Sequence, residues 1–380
     1  MKYYVIAGEA SGDLHGSNLM RAMKEQDPHA QFRIWGGDMM EAAGGTLVKH
    51  YRDLAFMGFV EVLMNLRTIF KNLAFCKEDI EAYQPDALIL VDYPGFNLRI
   101  AEWAKQKGIK VIYYISPQVW AWKENRVVKM KQHIDLMLVI LPFEKPYYEE
   151  KWKWPVHYVG HPLVEVIDKA KASDLPFNPV TNNTNWASAA KTVALLPGSR
   201  KQEILKKLPV MLSVTKDFPE CMFFVAKAPG LDAAFYDEML ASYPNVGYVN
   251  NQTYALLKRS DAALVTSGTA TLETALFAVP EVVCYIGSPI SYAIAKRIIK
   301  IKYISLVNLI MDQLVVKELI QHELTTDALR MELKALLYQD NKRAQLKKDY
   351  TELYEVLSMG GKASQNAAKE IASFLKINAS

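Results

Sequence analysis

The chain has 380 residues, 51% of them hydrophobic, enough for two cores because a single core seldom grows past roughly 250 to 300 residues. Lys plus Arg number 45 against 41 Asp plus Glu, a formal net charge of +4, too slight a balance for an obligate nucleic-acid binder. The 3 cysteines, Cys76, Cys221 and Cys284, are isolated and odd in number, which argues against a disulfide frame and for a reducing compartment.

The opening MKYYVIAGEASGDLHG reads as a strand over Tyr3 to Ala7, a tight loop from Gly8 to Gly12, and a helix with Leu14, Leu19 and Met23 on its apolar face. Such a loop aims backbone N–H groups and a positive helix end at whatever polar ligand lies above it. The spacing of Gly8, Gly12 and Gly16 fits neither G-x-G-x-x-G nor G-x-x-x-x-G-K-[ST], so by itself the loop reads as a βα corner. No charged leader precedes the strand. No apolar run approaches the roughly 20 residues that cross a bilayer. The expected location is the cytoplasm.

Further apolar runs follow, FRIWGG, TLVKHY, ALILVD, VIYYIS, LMLVIL and HYVGHP, separated by helical patterns. This predicts a parallel sheet of βαβ units over residues 1–172. The stretch 173–190, SDLPFNPVTNNTNWASAA, is crowded with Pro, Asn, Thr and Ser and reads as a linker or irregular insertion. Alternation resumes with TVALLPGSR, MFFVAKAPG, VGYVN, AALVTSG and EVVCYIG, a second α/β domain over 191–358. Residues 359–380 form a terminal helix behind two glycines, docking on the first domain or on a partner subunit.

Open parallel sheets bind ligands beyond the carboxyl ends of their strands, so the residues just after each strand carry the candidates. Arg200 follows TVALLPGS at a helix start, where it either holds a phosphate or is an exposed loop residue. Thr266, Ser267, Gly268 and Thr269 precede a helix carrying Glu273. Hydroxyls and free amides there suit a diphosphate, and a carboxylate one turn in suits a ribose, which together describe a nucleotide sugar. The alternative is an ordinary capped helix. Asp92, at the end of the most apolar strand, is placed as a general base or as a cap of the next helix.

In order, GEASGD (8–13), MGFVEV (57–62), VDYPGFN (91–97), SPQVWAW (116–122), LPFE (141–144), GHP (160–162), LPGSR (196–200) and SGTATLE (267–273) resemble the lipid-A-disaccharide synthases over nearly the whole chain. The resemblance implies a B-type glycosyltransferase: α/β, two Rossmann-like domains with parallel sheets facing a central cleft, the nucleotide held by the C-terminal one. It implies an inverting, metal-independent transfer, without a cofactor, between UDP-2,3-diacylglucosamine and 2,3-diacylglucosamine 1-phosphate (lipid X). The products are UDP and the β-1,6 disaccharide precursor of lipid A. By the same resemblance Asp92 is the base, Gly8, Glu9, Ser11 and Gly12 line the acceptor side, and Arg200, Ser267, Gly268, Thr269, Glu273 and Asn308 face the donor. Many members read D-A-P-D-F-N where this chain has Asp92-Tyr93-Pro94-Gly95-Phe96-Asn97, so Gly95 removes a second acid from the loop. No D-x-D motif for a divalent metal occurs in the sequence.

Acylated substrates require work at a bilayer surface, so peripheral association with the inner membrane is expected. The stretch from Leu54 to Phe75 supplies membrane-facing candidates Phe56, Met57, Phe59, Leu63, Leu66 and Phe70, with an amphipathic core helix as the alternative. Trp120 and Trp122 with Lys123, Arg126, Lys129 and Lys131 form a second candidate anchor or a core pair beside a solvated basic face. A homodimer through the C-terminal helix is a further expectation. The competing classes are a UDP-sugar epimerase of the same architecture, which needs no acceptor, and a non-catalytic nucleotide-sugar-binding protein.

Overall fold

The computed structural model describes residues 1–54, 66–228, 230–288, 301–358 and 360–377. The chain divides into two compact units, Met1–Pro162 with Leu357–Ser380, and Leu163–Val356.

The first unit carries a seven-stranded parallel sheet of order β3-β2-β1-β4-β5-β6-β7. Its strands are β1 (Lys2–Ala7), β2 (Gln31–Gly36), β3 (Gly45–His50), β4 (Ala87–Val91), β5 (Lys110–Tyr114), β6 (Leu136–Val139) and β7 (His157–Tyr158). Central β4, ALILV, is buried at every position, as a strand covered on both faces must be. One face packs under α1 (Ala10–Gln26). The other packs under α3 (Leu66–Tyr83), α4 (Pro94–Gln106) and α5 (Arg126–His133); the short α2 (Asp38–Ala42) follows β2.

The second unit repeats the plan with six parallel strands in the order β10-β9-β8-β11-β12-β13. These are β8 (Lys191–Leu196), β9 (Cys221–Lys227), β10 (Val246–Asn250), β11 (Ala262–Thr266), β12 (Glu281–Tyr285) and β13 (Lys317–Ile320). Its helices are α6 (Pro162–Ala172), α7 (Lys201–Ser213), α8 (Ala233–Leu240), α9 (Thr253–Leu257), α10 (Thr269–Leu276), α11 (Leu306–Met311), α12 (Thr326–Tyr338) and α13 (Asp340–Ser358). In each sheet the strand order reverses direction beside its first strand, at β1/β4 and at β8/β11.

The division falls at Pro162 and Leu163, ahead of the 173–190 boundary read from composition. That polar stretch is packed rather than free: Phe177 and Trp186 meet Phe224 of β9 at ring distances of 5.5 and 5.8 Å. Val180 also exchanges backbone hydrogen bonds of 2.8 and 2.9 Å with Tyr248 of β10. Two aromatics among many polar residues anchor the segment without producing any periodicity. The last helix, α14 (Ala363–Ile377), buries Ala367, Ala368, Ile371 and Leu375 in the same core as Leu19 and Met23 of α1. Its apolar face is therefore covered within the first unit. Among the described residues no helix is long and apolar enough to cross a membrane, and all three cysteines are buried and unpaired.

Candidate active site

In the first unit the switch point between β1 and β4 is built from two loops. Gly8 and Gly12 follow β1, and both are buried. A Cβ on Gly8 would lie 2.3 Å from the Tyr93 ring, and one on Gly12 would lie 3.1 Å from the Ala7 Cβ. These glycines therefore serve close packing of loop on loop and helix on strand. Glu9 and Ser11 remain exposed at the start of α1. Asp13 of the same motif is 4% exposed. Its carboxylate accepts from the amides of Gly37 (2.8 Å), Met39 (3.1 Å) and Met40 (3.0 Å), tying α1 to the start of α2.

Asp92 leaves the end of β4 in the left-handed region, φ 45°, followed by Tyr93 at φ 49°. Successive non-glycine residues there store strain that neighbouring contacts must hold. The Asp92 carbonyl accepts from Tyr113 Oη at 2.6 Å and from Asn97 Nδ2 at 2.7 Å. The Asp92 amide donates to the Tyr114 carbonyl at 3.0 Å. So pinned, the carboxyl is largely withdrawn from water. Burial first, and then the negative charge of Glu9, push its pKa up to about 6, against the Tyr93 amide. Gly95 removed one acid from the loop, but Glu9 supplies another from a different loop. Pairing across loops is invisible to a scan of contiguous motifs.

Strain continues at the next strand end, where β-branched Ile115 has φ 67°. The motif SPQVWAW that follows is held from beneath. Ser116 Oγ and Tyr148 Oη share a 2.6 Å hydrogen bond, and Trp120 Nε1 donates to Glu144 Oε1 at 3.2 Å. Glu144, 1% exposed, also accepts from the amides of Ile140 (3.2 Å) and Leu141 (2.9 Å). Burial raises its carboxyl to about 7 in spite of these donors. Trp120 is thus half-buried and tied to LPFE, which favours the core alternative over the anchor for this residue. Trp122 is 47% exposed, with the Lys123 ammonium 4.1 Å from its ring centre.

Of the membrane-facing candidates, Phe56, Met57, Phe59 and Leu63 lie outside the described residues, and Leu66 opens α3. Phe70 is 60% exposed and Phe75 is 46% exposed, whereas Leu73, Cys76 and Ile80 of the same helix are buried.

In the second unit the equivalent switch point, β8/β11, carries Gly198–Arg200 and Ser267–Thr269 around a cavity of about 500 Å³. Gly198, Ser199, Arg200, Ser267, Gly268, Thr269 and Glu273 all line it. Gly268 takes φ 140°, which only glycine adopts without strain. No side chain caps α10, so the first amides of that helix are presented to the cavity. Arg200 is 63% exposed and lies 3.6 Å from Glu203. The Ser267 hydroxyl donates to the Ile304 carbonyl at 2.9 Å, bracing the loop. Glu273 accepts from Tyr254 Oη at 2.9 Å, and burial raises its pKa against that bond. A second cavity of about 460 Å³, lined by Asn251, Gln252 and Tyr254, shares Lys227, Thr253 and Glu273 with the first.

Asn308 is not presented to either cavity. It is fully buried, its Nδ2 donates to the Val316 carbonyl and Glu318 Oε1, and its Oδ1 accepts from the amides of Val315 and Val316, all at 2.9 Å. Glu318 in turn accepts from Ile304 and Ser305. Asn308 therefore positions the segment that holds Ser267, a correction of its reading as a direct donor contact. Sequence reading missed Lys207, 4% exposed on α7, whose ammonium donates to Thr266 Oγ1 at the end of β11. Burial lowers its pKa. A lysine within the run KK gives no signal that it is the buried one. Among the described residues no group of three or more His, Cys, Asp or Glu side chains is arranged to hold a metal ion.

Residues 3–374 match the family described as lipid-A-disaccharide synthetase. The lipid-A-disaccharide synthase of Syntrophus aciditrophicus is 38% identical over 369 residues, covering 96% of this chain and 95% of that one. That of Geobacter metallireducens is 40% identical over 334 residues, covering 87% and 86%. Among solved structures, the glycotransferase of kitacinnamycin superposes with a TM-score of 0.67 at 14% identity, covering 98% of each chain. The UDP-GlcNAc 2-epimerase of Neisseria meningitidis, bound to UDP-GlcNAc, gives 0.66 at 13% identity, covering 99% of this chain and 100% of that one. These likenesses show the fold, that of the B-type glycosyltransferases. The chain belongs to the lipid-A-disaccharide synthetase family, and so is a glycosyltransferase of lipid A biosynthesis.

Proposed function

We propose that this lipid-A-disaccharide synthetase is an inverting enzyme that joins UDP-2,3-diacylglucosamine to lipid X, releasing UDP and the β-1,6 disaccharide 1-phosphate. Asp92 takes the proton of the acceptor's primary hydroxyl as that oxygen attacks the anomeric carbon of the donor, and UDP departs from the opposite face. The observation that carries the reading is the Asp92 carboxyl: strained in place at a switch point, desolvated, and raised to about 6. Such a group is a stronger base than an ordinary carboxylate and is still mostly ionised at neutral pH. Glu9 and Ser11 flank the acceptor hydroxyl.

In the second unit Arg200 and the amides opening α10 meet the diphosphate, and Glu273, braced by Tyr254, accepts from the ribose hydroxyls. Charge building on the leaving UDP is stabilised by these fixed donors, so EDTA should leave the rate unchanged. The exposed Phe70 and Phe75, near Arg67 and Lys71 on α3, support peripheral contact with the cytoplasmic face of the inner membrane. The deciding experiment mixes purified protein with UDP-diacylglucosamine and lipid X. Disaccharide plus UDP in equal amounts is expected, with the β-1,6 linkage read by NMR. Consumption of UDP-sugar without acceptor would instead favour the epimerase class that shares this fold.

A further inference from the structure

Beside the Asp92 loop, α4 and α5 of the first unit leave a groove of about 340 Å³ that the chemistry above does not use. Its floor is apolar, formed by side chains such as Leu98 and Met130. Its rim is basic: Arg99, Arg126, Lys129 and His133, against one carboxylate, Glu102. The acids nearby are engaged elsewhere, Glu124 with Lys151, Asp135 with Lys105 and Glu81 with Lys107, and Arg99, Arg126 and Lys129 form no ion pair among the described residues. Like charges gathered around a concave surface raise a local potential that an anion relieves. A guanidinium beside an ammonium suits a phosphate monoester in particular.

The groove is continuous with the catalytic loop. Pro94 and Gly95, which line it, follow Asp92 by two and three positions. Arg126 lies close enough to Tyr113 for its charge to act on the phenol, and that phenol holds the Asp92 carbonyl at 2.6 Å. Gly95 leaves the mouth open, since a Cβ there would meet nothing within 4 Å.

We propose that the α4/α5 groove is the subsite for the phosphate monoester of the acylated acceptor, with Arg126 and Lys129 on the phosphate and the apolar floor against the neighbouring acyl chain. This rests on the reading of Asp92 as the base for that acceptor. A phosphate seated beside the loop would orient the sugar so that one hydroxyl, rather than another, reaches Asp92. Selectivity for a phosphorylated acceptor follows directly from the groove's charge.

The test compares the full-length protein with its Arg126→Gln/Lys129→Gln variant in equilibrium binding, without donor. The probes are lipid X and its dephosphorylated counterpart in neutral detergent micelles, together with glucosamine 1-phosphate as a head group alone. The variant should bind lipid X at least roughly tenfold more weakly, the loss expected for charge-assisted contacts. It should bind the dephosphorylated acceptor and UDP as the wild type does, at an unchanged melting temperature. Equal loss on both acceptors, or no loss on either, overturns the proposal. So does reduced flotation with phosphatidylglycerol vesicles at unchanged lipid X affinity, which would assign the groove to the bilayer. Because glucosamine 1-phosphate binding requires no turnover, failure of the groove is read separately from failure of disaccharide synthesis.

Discussion

The two units share one strand order and put different chemistry at its turning point. At β1/β4 the chain concentrates strain and buried acid: left-handed Asp92 and Tyr93, a desolvated carboxyl near Glu9, and a glycine flattened beneath a tyrosine ring. At β8/β11 it concentrates donors: an uncapped helix start, a glycine at φ 140°, Arg200 and a buried lysine. A base must be held rigidly and partly dried to raise its pKa, whereas a leaving diphosphate needs positive ends and open amides. On the proposed function one architecture serves both, because the crevice at a switch point is set by strand order and not by side chains.

The sharpest way to break this division of labour is Asp92→Asn. Turnover should fall by about 10²–10⁴-fold, with UDP affinity by isothermal titration unchanged. A parallel loss of UDP affinity would mean that the first unit's acid also shapes the donor site. The complementary change, Glu273→Ala, should weaken UDP binding roughly tenfold to a hundredfold while leaving the affinity for lipid X as it was.

Asn308→Ala separates contact from support within the second unit. Removing that side chain strands Glu318 and the Val315 and Val316 amides. It should therefore cost about 1 to 3 kcal/mol of stability, seen as a lower melting temperature, whereas Glu273→Ala should melt near wild type. A wild-type melting temperature together with weakened UDP binding would restore Asn308 to the ligand.

The desolvation of Asp92 is tested through pH. The folded-state pKa of Asp92, about 6, lies above the unfolded value. Between about pH 4 and 6 the folded protein thus binds the proton more tightly, and stability declines as pH rises through that window. Asp92→Asn abolishes this loss, so the variant should exceed wild type at pH 7.5 by on the order of 3 kcal/mol and come close to it near pH 4. In the wild type, kcat/KM should climb with pH to a plateau above about 6. The smallest expected change is Gly95→Asp. The position is exposed with open space at its Cβ, and an acid in the first turn of α4 should gain about 0.3 to 1 kcal/mol. Melting temperature checks this gain.

Much of the molecule was legible in the chain. Short apolar runs separated by helical patterns identify parallel strands, because a strand buried on both faces cannot alternate. Once the strands are located, the residues following them are the candidate ligand contacts for any doubly wound sheet. Asp92, Arg200 and Gly268 stand at such positions, each signalled by the pattern of its own loop. The residues misread or missed are those whose role depends on partners far away in sequence. Asn308 reads like any polar residue near a strand until Val316 and Glu318 consume its hydrogen bonds. The Tyr93 ring that lies against Gly8 comes from a loop some 85 positions away and leaves no trace in the local sequence. The Glu9 charge beside Asp92, the buried state of Lys207 and the basic groove between α4 and α5 were likewise decided only by tertiary structure. Periodicity and turn chemistry are written residue by residue, but burial, charge proximity and hydrogen-bond saturation are properties of pairs that only the packed fold brings together.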